Sequence, residues 1–459
     1  MPDSAMIRGL RRVQNLFASD GKRPLSERQL ERLRSQLQEC ASGLGGEVSA
    51  RLRAAKLGES YLELNDAGRH AFLRLIATEF GPDPGKVAAA HAAYQAAVGA
   101  PGEWDAEAGL RAAMRSARIR ILTQFNALPQ GVKFLVDLRV DLLHFLEADP
   151  ELAALDRELE NRLTAWFDVG FLELRRITWQ SPAALLEKLI QYEAVHAIRS
   201  WTDLKNRLDS DRRCYGFFHP RMPDEPLIFV EVALVNKLAD NVQELLDEHA
   251  PVFDPQQATT AIFYSISNTQ EGLRGVSFGN FLLKRVVDAL KRDLPQLKQF
   301  ATLSPLPGFR RWLAKNPDVW EAAFEPAKRA RIAKLGNIEP TLPAIRQLLE
   351  DTPWWQQPRL ASAFANPLER LAAHYLLHAR SGNRPLDPVA RFHLGNGARI
   401  ERLNANADLS DNGLKQSYGM MVNYLYEPSQ IETNVEALLR EQLIAASGTV
   451  RYAAKLQAE

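Results

Sequence analysis

The sequence predicts an α+β protein, with an all-helical bundle domain over residues 1–170 followed by a mixed domain of strands and helices over residues 171–459. Three observations predict it. Leucines recur at spacings of three and four through the first third of the chain, the period of a helix with one buried side. After about residue 170, runs rich in β-branched and aromatic residues replace that period. Within this second part the order strand, glycine-rich loop, helix, strand appears. A length of 459 residues suits two or three domains at roughly 150 residues each.

In the first part, Ser26 followed by Glu27 and Gln29 forms a capping box that opens a helix over residues 27–39. Leu135, Leu138, Leu142 and Leu146 make one apolar stripe, with Asp137, Arg139 and Asp141 off it. Leu152, Leu155, Leu159 and Leu163 repeat the spacing. Gly and Pro punctuate the pattern at residues 81–85, 99–102 and 149–150, where helices should stop. Such a stack of antiparallel helices is a bundle. Residues 1–57 hold eleven Lys and Arg against six Asp and Glu, which reads as a solvated helix face in preference to a site for an acidic partner or anionic surface. His70, His91 and His144 stand isolated and carry no cluster chemistry.

In the second part, residues 227–235 form a strand, bounded upstream by Pro223 and Pro226 and crossed by Glu231. Residues 260–267 form another. Residues 268–280 are a polar loop with Gly272, Gly275 and Gly279, and residues 281–290 return to the helical period. Residues 300–303 are a short strand that a turn beginning at Ser304-Pro305 closes. A helix N-terminus leaves backbone N–H groups unpaired at its positive end, and glycines allow a phosphate close to the main chain. The loop is therefore either a pyrophosphate cradle, with Arg274 beside it, or only a turn. It has neither the G-x-G-x-x-G spacing nor the G-K-[ST] of a P-loop. Asp387-Pro388 suits a helix start, with Asp as N-cap and Pro at the first position. His393 follows near the Asn396-Gly397 turn, as a general acid or base on a loop or as a donor to a nearby carbonyl. Ser304 by itself reads as a turn residue before Pro305. His374 and His378 have helical metal-pair spacing, but Tyr375 stands where H-E-x-x-H needs glutamate.

Composition excludes several classes. Lys plus Arg number 57 and Asp plus Glu 56, so the chain lacks the cationic excess of a dedicated nucleic-acid binder. Cys40 and Cys214 are too few for a disulfide framework or a Cys₄ zinc site, which suits a reducing compartment. No apolar run approaches the roughly 20 residues of a bilayer helix. Residues 1–20 contain Asp3 and no cleavage pattern, so no secretory signal is expected; Arg8, Arg11 and Arg12 leave a transit peptide open. A cytoplasmic location is the expectation.

Residues 261–273, the run on through Gly279 and the following helix, residues 303–309 and residues 392–398 together resemble the malonyl-CoA decarboxylase family. Pro223, Pro226 and Leu227 ahead of the first strand, and residues 419–424 near the end, resemble it too. The resemblance covers about residues 170–430. It implies a GNAT-like acyl-CoA-binding catalytic domain over residues 171–459 behind a helical domain used in homo-oligomer contacts. It implies that Arg274, Gly275, Val276, Ser277, Phe278, Gly279 and Asn280 form the loop that holds the coenzyme A pyrophosphate. Ser277 stands where acyltransferases of that fold have a glycine. Ser304 and His393 take the places of the family's catalytic serine and histidine. His219, Asn423 and Tyr424 sit in family-like segments as further lining candidates. The implied partners are malonyl-CoA and acetyl-CoA, without nucleic acid or membrane. Because the thioester is itself the electron sink for decarboxylation, the chemistry demands no separate cofactor and no metal. The alternative is a GNAT-type acyl-CoA-dependent acyltransferase, which would need an amine acceptor. A serine hydrolase fits less well, since Ser304 lacks a G-x-S-x-G elbow and Pro305 removes the N–H that such an elbow uses.

Overall fold

The computed structural model describes residues 25–42, 46–276 and 282–456. They divide into two compact units. The first comprises the described residues up to Phe167 together with the short segment that begins at Gln270; the second comprises the rest.

The first unit is helical. Its longer helices are Glu27–Ser42, Gly46–Glu63, Asp66–Glu79, Pro84–Ala97, Glu103–Ala113, Ala117–Asn126, Gly131–Leu146 and Ala153–Trp166. The capping box at the first of them is formed. Ser26 N donates to Gln29 Oε1 at 3.0 Å, and Gln29 N donates to Ser26 Oγ at 3.4 Å. The expected breaks hold as well. Asp83 caps Pro84–Ala97 through Gly85 N and Lys86 N, and Asp149 caps the short turn at Pro150–Leu152. Leu135, Leu138, Leu142, Leu152, Leu155, Leu159 and Leu163 are buried, so both leucine stripes face the core.

Two readings of this region need correction. His70 is not isolated, because its Nε2 lies 2.9 Å from Asp149 Oδ2. Arg139, placed on the solvent side by its spacing, is only 2% exposed. Its Nε donates to Asp156 Oδ1 at 2.9 Å, and its Nη1 donates to the carbonyls of Gly272 and Arg274 at 3.1 and 2.7 Å. The guanidinium is satisfied by a segment more than a hundred residues away, which local periodicity cannot register. Gly272 allows that segment to lie so close: a Cβ there would stand 1.9 Å from the Val136 carbonyl oxygen.

The second unit is built on a mixed sheet. Its strands are β1 (Glu173–Ile177), β2 (Arg212–His219), β3 (Met222–Val235), β4 (Thr260–Asn268), β5 (Gln299–Thr302), β6 (Ser304–Pro305), β9 (Arg399–Asn404) and β10 (Met421–Tyr426), in the order β1-β2-β3-β4-β5-β10-β6 with β9 also on β10. β7 (Arg380–Ser381) and β8 (Arg384–Pro385) form a separate ribbon. Every pairing in the large sheet is antiparallel except β4 with β5. A parallel neighbour needs a crossover, and the helix Leu282–Asp293 lies between β4 and β5 in the chain. β2 and β10 are buried at every residue, as strands covered on both faces are. Glu231, which interrupts the apolar run of β3, is buried against Arg207 Nη1 at 3.1 Å. Burial, with Glu193 nearby, pushes its carboxyl up to about 8.

The turn expected at Ser304-Pro305 is instead β6, because Ser304 pairs with Val422 and Pro305 with Met421. The ladder of β10 therefore passes from β5 to β6 with one break, over Thr302 and Leu303. There the Leu303 N–H turns to the opposite neighbour and donates to Phe263 O at 3.0 Å. Among the described residues no helix is long and apolar enough to cross a membrane, and no three His, Cys, Asp or Glu converge as a metal site.

The buried Arg139 yields a test. Replacing it with alanine leaves Asp156 and two carbonyls without their donor, and the helical unit should lose about 3–5 kcal/mol in denaturant unfolding. A loss below about 1 kcal/mol, the scale of an exposed pair, would contradict the account.

Candidate active site

Residues two apart in a strand share a face. Thr302 and Ser304, either side of Leu303, do so, and the Ser304 hydroxyl donates to Thr302 Oγ1 at 2.8 Å. Thr302 Oγ1 also accepts from Tyr424 N at 3.1 Å. Asn423 holds the backbone at this point. Its Nδ2 donates to Thr302 O at 2.8 Å and Ala239 O at 2.9 Å, while its Oδ1 accepts from Arg402 Nε and Asn404 Nδ2. All four of its hydrogen-bonding positions are occupied within the protein, so it frames the site.

His393 reaches the same point from a helix. The sequence places it on a loop near the surface of the core; it lies instead in the last turn of the helix Pro388–Gly395 and is 3% exposed. Asp387 starts that helix as expected, its Oδ1 accepting from Val389 N and Ala390 N at 2.9 Å each. Tyr375 donates to the other carboxylate oxygen at 3.1 Å. Burial pushes the Asp387 carboxyl up against the pull of these donors. At the far end, Ala398 N donates to His393 O at 3.1 Å, and Gly397 takes φ +82° where a Cβ would stand 2.5 Å from Ile431 O.

The outcome is that Ser304 Oγ and His393 Nε2 lie 3.1 Å apart. Residues 89 positions apart in the chain converge on one point, and both are buried. The other ring nitrogen, Nδ1, lies 2.7 Å from the Tyr426 hydroxyl. The Tyr424 ring stacks on the imidazole, with centroids 4.5 Å apart and planes 26° from parallel. Burial drives the imidazole down from 6.5 to about 3, so the ring is neutral at ordinary pH. An imidazole titrating near working pH, the ordinary reason to choose histidine as an acid, is therefore not what this site holds. Burial also raises the phenols of Tyr424 and Tyr426.

The other candidates separate. Arg274 is exposed and pairs with Glu271 at 3.7 Å, Gly275 has φ +87°, and Val276 is buried. Ser277, Phe278, Gly279 and Asn280 lie outside the described residues. His219 belongs to the β2–β3 hairpin, where its Nδ1 accepts from Arg221 N at 3.1 Å. The His374 and His378 rings lie 4.7 Å apart with planes tilted by 45°, and Nδ1 of His374 is 3.3 Å from Ala454 O. Sequence reasoning missed Thr302 and Tyr426. The signal was there in period two: Thr302 precedes Ser304 by two, and Tyr426 follows Tyr424 by two.

Comparison with known proteins extends over nearly the whole chain. The family model described as malonyl-CoA decarboxylase C-terminal domain matches residues 170–459, and the one described as malonyl-CoA decarboxylase N-terminal domain matches residues 80–167. A goose protein (Anser anser anser) named mitochondrial malonyl-CoA decarboxylase is 38% identical over 422 residues, spanning 87% of this chain and 83% of its own. The crystal structure of malonyl-CoA decarboxylase from Rhodopseudomonas palustris superposes with a TM-score of 0.82 at 42% identity, covering 94% of this chain and 100% of that one. That from Agrobacterium vitis does so with a TM-score of 0.82 at 40% identity, covering 93% and 100%.

The cap on the histidine helix is separately testable. Asp387→Ala should lower unfolding stability by about 0.5–2 kcal/mol, while Asp387→Asn, which keeps the capping oxygen, recovers part of it. Equal losses in the two variants would show that the cap does not hold this helix.

Proposed function

Since this chain belongs to the malonyl-CoA decarboxylase family, we propose that it converts malonyl-CoA to acetyl-CoA and carbon dioxide at Ser304 and His393. The single observation that carries the reading is the 3.1 Å approach of these two side chains in a buried, framed setting. In this proposal Ser304 binds and orients the departing carboxylate. The C–C bond breaks with its electron pair flowing into the thioester carbonyl, and the resulting enolate carbon takes a proton from His393. With a neutral ring that proton is an imidazole N–H; the Tyr426 hydroxyl passes its proton to Nδ1 in the same step, and a proton taken from water at Nε2 as product leaves returns the Nδ1 proton to Tyr426 and closes the balance. The thioester enolate is basic enough at carbon to draw a proton from so weak an acid. In this proposal Arg274 through Asn280 hold the coenzyme A pyrophosphate, as the family resemblance implies. No separate cofactor enters the scheme. Homo-oligomer contacts through the helical domain and a cytoplasmic location complete the reading; the goose relative is named mitochondrial.

Carbon dioxide release from malonyl-CoA in the absence of any amine acceptor is the direct test, and dependence on an acceptor would favour the acyltransferase alternative. His393→Asn and Ser304→Ala, folded as the parent, should each lose about 10²–10⁴-fold in turnover. Near-full activity in either would remove that residue from the scheme. The pH profile is a second check. With its folded pKa at about 3, His393 should give kcat/KM no inflection near pH 6.5, and an acid limb there would contradict a neutral ring.

A further inference from the structure

We infer that Thr302 is a positioning residue that holds His393 in the tautomer with its proton on Nε2, so that the ring faces Ser304 as an acid where a hydrolase would present a base. The inference rests on the proposed use of this pair and follows from counting protons along one buried chain of groups. Thr302 Oγ1 accepts the Ser304 hydroxyl at 2.8 Å. A serine hydroxyl has one hydrogen, and this bond uses it. The 3.1 Å contact between Ser304 Oγ and His393 Nε2 must then run the other way, with the ring N–H donating to the serine oxygen. Because the ring is neutral it carries one proton, so Nδ1 is bare and accepts the Tyr426 hydroxyl at 2.7 Å. The chain therefore runs Tyr426 to His393 to Ser304 to Thr302, each group donating to the next. Thr302 is its terminus. It is fully buried, and the Asn423 amide bonded to its carbonyl prevents the backbone there from shifting.

The direction has a chemical consequence. A histidine whose Nε2 lone pair faced Ser304 could take the serine proton and make a nucleophile. With the proton already on Nε2 it cannot. The Nε2–H held against Ser304 Oγ is instead the proton that the proposed scheme delivers to the enolate carbon, leaving the serine oxygen as it is transferred. A neutral imidazole that presents its N–H to the reacting group is a known catalytic device.

The test is the nitrogen NMR spectrum of the full chain labelled at histidine with nitrogen-15, with the His393 signals identified by their loss in His393→Asn. In the unsubstituted protein Nε2 should resonate as a protonated ring nitrogen and Nδ1 as a bare one. Thr302→Val, which fills the space but accepts no hydrogen bond, frees the Ser304 hydrogen to turn to Nε2. The ring proton should then move to Nδ1, and kcat should fall about tenfold with KM changed by less than about twofold. Thr302→Ser should restore both the spectrum and kcat. A bare Nε2 in the unsubstituted protein overturns the inference, whatever becomes of Thr302→Val. So does a folded Thr302→Val with the original tautomer. Either result would leave decarboxylation itself standing, whereas an unreactive protein with Nε2 protonated would count against the proposed function alone.

Discussion

Taking an imidazole out of water disfavours its charged form, and His393 lies deep enough beside β10 that only the neutral ring persists at ordinary pH. Much of the surrounding structure answers to that constraint. A neutral ring offers one donor and one acceptor, and each meets a partner: Ser304 at Nε2 and Tyr426 at Nδ1. The Tyr424 face against the ring excludes water from one side. Asp387 and Gly397 set the start and the exit of the helix that carries it. The break in the ladder over Thr302 and Leu303 allows Thr302 and Ser304 to sit beside β10 with their hydroxyls in contact.

These parts are supplied by elements far apart in the chain, which explains why the sheet order matters. β10 is among the last strands in sequence but pairs with β5, β6 and β9. It brings Asn423, Tyr424 and Tyr426 beside Thr302 and Ser304, while His393 arrives on a separate helix. The proposed decarboxylation draws on an ordered setting with a few aimed hydrogen bonds. A fully bonded Asn423 and a neutral imidazole supply that order.

Much of this was legible in the sequence, for definite reasons. Leu135 through Leu163 reveal their helices because each leucine answers to its neighbours three and four residues away. Ser26 with Gln29, and Asp387 with Pro388, announce helix starts through bonds that span two or three residues. Residues 227–235 and 260–267 reveal strands because β-branched and aromatic residues crowd them. The resemblance at residues 303–309 and 392–398 pointed to Ser304 and His393, which the fold brings within 3.1 Å of each other. What stayed hidden depends on distant partners. Arg139 looks solvated until Gly272 and Arg274 meet it. Ser304 looks like a turn residue until β10 pairs with it. β1 and β2 carry Arg175, Arg176, Arg212 and Arg213, which mask their pattern. His393 looks like an ordinary titrating histidine until the fold buries it, since no stretch of sequence records desolvation.

The claim on which the account turns is that Ser304 and His393 act on the acyl group as one unit. A double-mutant cycle measures this directly. Turnover of malonyl-CoA would be compared among the parent, Ser304→Ala, His393→Asn and the double variant, all shown to be folded. Residues that act together are non-additive, so the double variant should lose about as much as the worse single variant. Losses that multiply, as for two independent sites, would contradict the account.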